Sequence, residues 1–267
     1  MGARPALPGG PYLVVGLARS GLAALGLLRA RGEQAVGVDS GLPPVDLPGV
    51  HLGTDGVALL DEVAAVVKSP GVPPRAPVVA AARERGLPVL GELELAWRLL
   101  PNEFLAVTGT NGKTTTVELI GHIHREAGIP VTVAGNVGTP LSSLVGAVDP
   151  AAVVVCEASS YQLADSLAFA PEAAVLLNIE ADHEAWHGSP EAYRAAKLGL
   201  FARLGPEAVA VSDIEIPGAA RRVAPADIAG WEVRLRGEHN RRNAAFAAEV
   251  CLQRGIGEDA VRAGLRT

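Results

Sequence analysis

Cysteine is scarce in this 267-residue chain, where Cys156 and Cys251 are the only two. A disulfide framework is thereby excluded, and a reducing, cytoplasmic setting is expected. Both lie in apolar stretches and read as buried thiols. Positive charge is also short: the formal net charge is −6, which offers no basic surface to nucleic acid. No segment approaches 18 uninterrupted apolar residues, so no membrane-spanning helix is expected. The apolar run over residues 12–28 is broken by Gly16, Arg19 and Gly21 and does not read as a signal sequence. Internal repeats and low-complexity tracts are lacking too.

Lysine is the rarest charged residue. Only Lys68, Lys113 and Lys197 occur among 23 lysines and arginines. Where arginine has replaced lysine at generic exposed positions, a remaining lysine is enriched for tasks that a planar, permanently charged guanidinium cannot perform.

What is present is an alternation of strand and helix signals. Strand-like runs at 12–16, 35–39, 63–72 and 87–91 are interleaved with helical patterns at 20–32, 77–86 and 92–100. A second series starts at Phe104, with strands at 104–109, 130–135, 151–157, 173–179 and 208–212. Its helices are read at 114–128 and 189–204, with a Pro/Gly-rich section to Gly237 and a last helical stretch from Asn240. The rhythm predicts an α/β protein with parallel sheets. The expected domains are a Rossmann-like unit over residues 1–101 and a P-loop-type α/β ATPase unit over 102–267. Such a length suits two domains.

Two loops carry phosphate-binding chemistry. "GLARSG" comprises Gly16, Leu17, Ala18, Arg19, Ser20 and Gly21. It resembles a dinucleotide fingerprint in which Ala18 replaces the middle glycine. Asp39 ends the following strand, where a carboxylate can meet a ribose or a base. The motif admits a nucleotide diphosphate at a helix N-terminus, or a plain turn capped by Ser20. "TGTNGKTTT" is a phosphate loop shorter than the usual P-loop. Gly109 and Gly112 let the amides of Thr110 and Asn111 turn inward, Lys113 supplies a mobile charge, and Thr114 or Thr115 a hydroxyl for Mg²⁺.

Other candidates have competing readings. Glu157 leaves a buried strand near the phosphate loop and suits Mg²⁺, or a turn. Asp182 and His183 follow the next strand and suggest a hard-metal or supporting role, since no tetrahedral zinc set is evident; a polar surface loop is the alternative. Lys197, mid-helix, reads most simply as a snorkelling lysine. Asn240 and Asn243 share a helix face and could read a purine or cap the helix.

The motifs "VVGLARSG", "TGTNGKTTT", "GNVG", "EASSYQL", "NIEADH", "YRAAK" and "GEHNRRN", in this order, resemble the Mur ligase family. The resemblance runs from the first loop to the last residue. It implies that Gly16 to Gly21, Asp39, Ser40 and the Ser69-Pro70-Gly71 turn hold a UDP-linked substrate, with Asn136 and Ser159 near the junction. It further implies that the loop from Gly109 to Thr115 holds ATP, flanked at the adenine by Asn240 and Asn243. Thr114, Glu157, His183 and a carbamylated Lys197 would bind Mg²⁺, and Lys113, Glu157, His183 and Lys197 would be catalytic. The implied reaction joins D-glutamate to UDP-N-acetylmuramoyl-L-alanine through an acyl phosphate, in a monomeric enzyme of peptidoglycan precursor synthesis.

Departures accompany the likeness. Ala185 stands where the family often has an acidic residue, and the stretch between Lys197 and Gly237 is short, so a strand or hairpin is expected to be absent. The family's third domain, with its D-glutamate site, would begin near the final "AVRAGLRT" and is expected to be missing. Rival readings are a folylpolyglutamate-type ligase, a non-catalytic nucleotide-binding paralogue, and an NAD-dependent oxidoreductase, against which Ala18 and the second phosphate loop argue. The 267 residues alone are therefore expected to turn over poorly; ordinary steady-state ligase turnover would refute this.

Overall fold

The computed structural model describes residues 4–216 and 221–267. Residues 217–220, in the Pro/Gly-rich section, lie outside the described residues. The first sheet contains β1 (Tyr12–Val15), β2 (Ala35–Asp39), β3 (Val50–Leu52), β4 (Ala65–Lys68) and β5 (Val89–Gly91), in the order β3-β2-β1-β4-β5. Every pairing is parallel. The helices α1 (Arg19–Ala30), α2 (Pro77–Glu84) and α3 (Glu92–Leu99) complete this half.

The second sheet contains β6 (Phe104–Thr108), β7 (Val131–Gly135), β8 (Val153–Glu157), β9 (Ala173–Leu176), β10 (Val209–Val211) and β11 (Arg222–Val223). Their order is β11-β10-β9-β6-β8-β7, again all parallel. Accompanying helices are α4 (Lys113–Glu126), α5 (Ser160–Ala164), α6 (Glu184–His187), α7 (Pro190–Ala202), α8 (Glu238–Gln253) and α9 (Glu258–Arg266). Parallel strands covered on both faces read as continuous apolar runs. Thus β1, β4 and β6 are buried at every residue, including Lys68 and Thr108. Cys156 and Cys251 are fully buried, and desolvation pushes both thiols up.

Several boundaries differ from expectation. The strand expected over 63–72 stops at Lys68, because Pro70 in the following turn has no N–H for a ladder. β3 is a short, half-exposed edge strand without an apolar run. Ser159 caps α5 by accepting from the Gln162 amide, while Gln162 closes the capping box. The last helical stretch divides into α8 and α9 at Gly255, whose φ is +86°.

Buried polar groups join the two sheets. Glu94 of α3 is fully buried and accepts from the amides of Leu167, Ala168 and Phe169 at 3.2, 3.1 and 2.9 Å. Arg98 pairs with the same carboxylate at 2.7 Å. Within the second half, Asn102 donates to the Asp149 and Ala152 carbonyls, both at 2.8 Å. Replacing Glu94→Ala strands three amides and one guanidinium. Unfolding stability is expected to fall by about 3–5 kcal/mol, as read by urea denaturation; a loss below about 1 kcal/mol would contradict this role.

Candidate functional site

In each sheet the strand order reverses beside a pair of central strands, and open α/β sheets bind ligands at such switch points, beyond the strands' carboxyl ends. In the first sheet that crevice lies between β1 and β4. Gly16 has φ +84°, and a Cβ there would lie 2.5 Å from Val72 Cγ2. Ser69 Oγ donates to the Gly16 carbonyl at 2.8 Å, tying the two loops together. Asp39 is oriented by two amides, Leu17 N–H to Oδ2 at 2.7 Å and Gly41 N–H to Oδ1 at 2.8 Å. The result is an open cleft of about 790 Å³, lined by Gly16, Ala18, Arg19, Ser20, Asp39, Ser40, Ser69, Pro70 and Gly71, and reaching Asn136 and Gln162 of the other half. First-turn amides of α1, which have no intrahelical acceptor, border it together with Arg19.

The second crevice lies between β6 and β8. Gly112, at φ +84°, turns the loop into α4, and a Cβ there would lie 2.5 Å from Asn243 Oδ1. Asn178 clamps the loop from the neighbouring strand end. Its Oδ1 accepts from the amides of Thr110 and Asn111, each at 2.9 Å, and its Nδ2 donates to the Asn111 carbonyl at 3.1 Å. The β6–β8 register pairs Val107 with Glu157, which places Glu157 beside the loop.

Glu157 connects the two regions. It is 2% exposed; Oε2 accepts from Thr114 Oγ1 at 2.6 Å, and Oε1 accepts from Asn136 Nδ2 at 2.9 Å. Asn136 belongs to the first cleft and Thr114 to the first turn of α4. One carboxylate therefore bridges them. Its oxygens and the Thr114 hydroxyl are hard donors suited to Mg²⁺. Among the described residues, no three His, Cys, Asp or Glu side chains converge into a ready metal cage.

Two lysines converge on one carbonyl. Lys113 Nζ donates to Gly109 O at 3.0 Å and Thr110 O at 2.9 Å, and Lys197 Nζ donates to the same Gly109 O at 2.7 Å. Lys197 is 1% exposed. Burial first, and the Lys113 charge second, lower its pKa to about 7. Burial also lowers that of Lys113, opposed by Glu157 and Asp182. The Tyr193 ring lies 4.7 Å from Lys197 Nζ, and its hydroxyl is 2.9 Å from Thr110 Oγ1. His183 adopts φ +54°, contacts Asp182 at 3.3 Å, and packs against Tyr161 at 4.8 Å and Tyr193 at 6.0 Å between ring centres.

Residues 107–227 match the Mur ligase middle domain. A UDP-N-acetylmuramoylalanine–D-glutamate ligase of Anaeromyxobacter dehalogenans is 37% identical, with 98% of this chain and 68% of the relative covered. The chain belongs to the Mur ligase family. A relative of the same description from Frankia casuarinae is 44% identical, over 76% of this chain and 45% of its own length. The chain spans about half the length of several such relatives. A solved UDP-N-acetylmuramate:L-alanyl-gamma-D-glutamyl-meso-diaminopimelate ligase from Neisseria meningitides shares the fold. Its TM-score is 0.62 at 19% identity, with 98% of both chains covered.

Within this Mur ligase framework, three of the residues expected to hold substrate stand outside the cleft wall. Leu17 packs its side chain into the core, Gly21 is pressed so closely on Gly16 that a Cβ would lie 1.8 Å from its carbonyl oxygen, and Ser159 is consumed by its helix cap. Asn240 donates to its own Arg236 carbonyl at 2.9 Å, which is a helix-start contact, whereas Asn243 sits over Gly112. Thr115 follows Thr114 on α4, half-buried. Lys197 is neither exposed nor snorkelling. Sequence reasoning missed Thr54, Asp55, Arg75 and Gln162 in the cleft wall and the Asn178 clamp. Only Asn178 carried a signal, as a polar residue directly after an apolar strand.

Lys197 generates a pH prediction. Because its folded pKa lies below the unfolded value, the penalty for burying its charge is complete below pH 7 and disappears as pH rises toward 10.5. In bicarbonate-free buffer, the wild type is expected to gain stability relative to Lys197→Met across that window. The steepest slope is about 1.4 kcal/mol per pH unit. Parallel stability–pH curves for the two proteins would contradict it.

Proposed function

We propose that the chain supplies the UDP-substrate and ATP sites of a ligase that joins D-glutamate to UDP-N-acetylmuramoyl-L-alanine in peptidoglycan precursor synthesis, in the cytoplasm. The observation that carries this reading is the chain Asn136–Glu157–Thr114, which sets a nucleotide-sized cleft against a phosphate loop. The D-glutamate ligases among its relatives support the substrate assignment. The division at residues 101/102 is proposed as the domain boundary.

In the proposed reaction, the alanyl carboxylate oxygen attacks the γ-phosphorus of ATP and ADP departs, leaving an acyl phosphate. The amine of D-glutamate then attacks the acyl carbon, gives up a proton and expels phosphate as the amide forms. Two anions must meet in the first step, so charge neutralisation and positioning dominate. Lys113, now held by two loop carbonyls, swings onto the β- and γ-phosphates. The Ser69-Pro70-Gly71 turn, α1 and Arg19 border the diphosphate of the UDP substrate, and Asp39 receives a uracil or ribose donor. Asn136 orients the substrate's acyl end beside Glu157.

Thr114, Glu157 and His183 are the proposed Mg²⁺ partners, and Mg²⁺ would screen the phosphate and carboxylate charges. Lys197 joins them after reacting with CO₂. A pKa of about 7 leaves a substantial neutral, nucleophilic fraction of the amine near neutrality. The carbamate would also exchange repulsion from Lys113 for attraction.

UDP-N-acetylmuramoyl-L-alanine is expected to raise the melting temperature, and dihydrofolate and NADH are not. The reverse ranking would favour the folate-type or oxidoreductase alternative. Lys113→Ala is expected to weaken ADP binding about 10- to 100-fold, the loss of a charge-assisted contact, with UDP binding unchanged in the same calorimetric titrations. Equal loss of both nucleotides would contradict the assignment of Lys113.

A further inference from the structure

Lys68, the one lysine without a place in the reaction above, ends β4 directly before the Ser69-Pro70-Gly71 turn and is 0% exposed. Its ammonium donates to the Val72 carbonyl at 2.5 Å and to the Ser69 carbonyl at 3.4 Å, so it grips the turn from both sides. It also meets Asp165 Oδ2 at 2.6 Å, and the Asp165 side chain is 1% exposed. Asp165 stands at the end of α5, the helix that brings Gln162 to the opposite cleft wall. The Trp186 ring of α6 lies 5.2 Å from the same nitrogen, and the Asp165 carbonyl accepts from the Gly91 amide at 3.2 Å. This ammonium thus links a cleft turn of the first sheet to the helix end of the second, where the half-exposed Arg83 of α2 also lies 3.5 Å from Asp165 Oδ1.

The pair is an improbable device for stability alone. A buried ion pair is often matched or bettered by apolar groups of similar volume, because desolvation of both charges offsets their attraction. What apolar groups cannot reproduce is directional donation to two turn carbonyls beside a buried carboxylate charge. A compact ammonium with three donors fits that demand, whereas a planar guanidinium does not.

We propose that Lys68 and Asp165 are positioning residues that set the Ser69-Pro70-Gly71 turn against α5, fixing the cleft for the diphosphate of a uridine nucleotide. The proposal rests on the reading of the cleft as the UDP site. It assigns neither residue a contact with ligand. Among the described residues, the phosphate loop makes no hydrogen bond or ion pair to either side chain.

The test titrates the chain with UDP and, separately, with ADP and Mg²⁺, while thermal unfolding is monitored. Lys68→Met with Asp165→Leu is expected to melt cooperatively near the wild-type temperature. UDP affinity should fall about tenfold or more, equivalent to about 1.4 kcal/mol, and ADP affinity should stay within about twofold. Asp165→Asn, which keeps the volume and an acceptor, should weaken UDP binding to a lesser degree, with faster hydrogen exchange at the Gly71 and Val72 amides; it carries the test if the double variant does not fold. Wild-type UDP affinity in both variants would overturn the proposal alone, as would parallel loss of UDP and ADP. No UDP binding by the wild type would overturn the reading of the cleft, and the proposal with it.

Discussion

The two oxygens of Glu157 are committed to different parts of the molecule, one to Thr114 on the phosphate-loop helix and the other to Asn136 at the cleft. The relation between the two candidate sites depends on this bridge. It requires a carboxylate at the buried carboxyl end of a strand in register with the strand that feeds the phosphate loop, and β8, buried from Val154 to Glu157 and paired with β6, supplies both conditions. A glutamine would keep the shape and lose the charge that makes Glu157 suitable for a hard cation.

Charge is concentrated in places where burial penalises it. Lys113 and Lys197 share the Gly109 carbonyl, an arrangement that favours proton loss from the more buried amine. Glu92 is fully buried, accepts the Ser142 amide at 2.6 Å, and has its carboxyl pushed up by burial. Glu94, Lys68 and Asp165 add further buried ions along the junction of the two sheets. Such groups stabilise only in a complete set of partners. The junction is therefore specified by direction as well as by apolar contact, which suits a boundary that must hold two loops in fixed relation.

Much of this was legible in the sequence, and the legible parts share a cause. The phosphate loop is local: two glycines, one lysine and adjacent threonines lie within a few residues, between an apolar strand and a long helix. The buried strands were visible as continuous apolar runs. Features built from distant residues were not readable. Nothing in "VKSPG" or "QLADS" pairs Lys68 with Asp165, which are brought together only by the packing of two sheets. Gln162 reaches the cleft for the same reason. Lys197 looked like a surface lysine because helix periodicity cannot reveal that α7 turns this position onto the phosphate loop. Ser159 shows how a serine in a motif can serve as a helix cap, a role its sequence context signals as readily as ligand binding.

The most direct test of two sites joined by one carboxylate is a calorimetric titration of ADP and Mg²⁺ into the chain already saturated with UDP. Separate sites predict that ADP still binds at one equivalent per chain, with UDP retained. Displacement of UDP by ADP, or no ADP binding with UDP in place, would mean that the two crevices are not the paired nucleotide sites described for this fold.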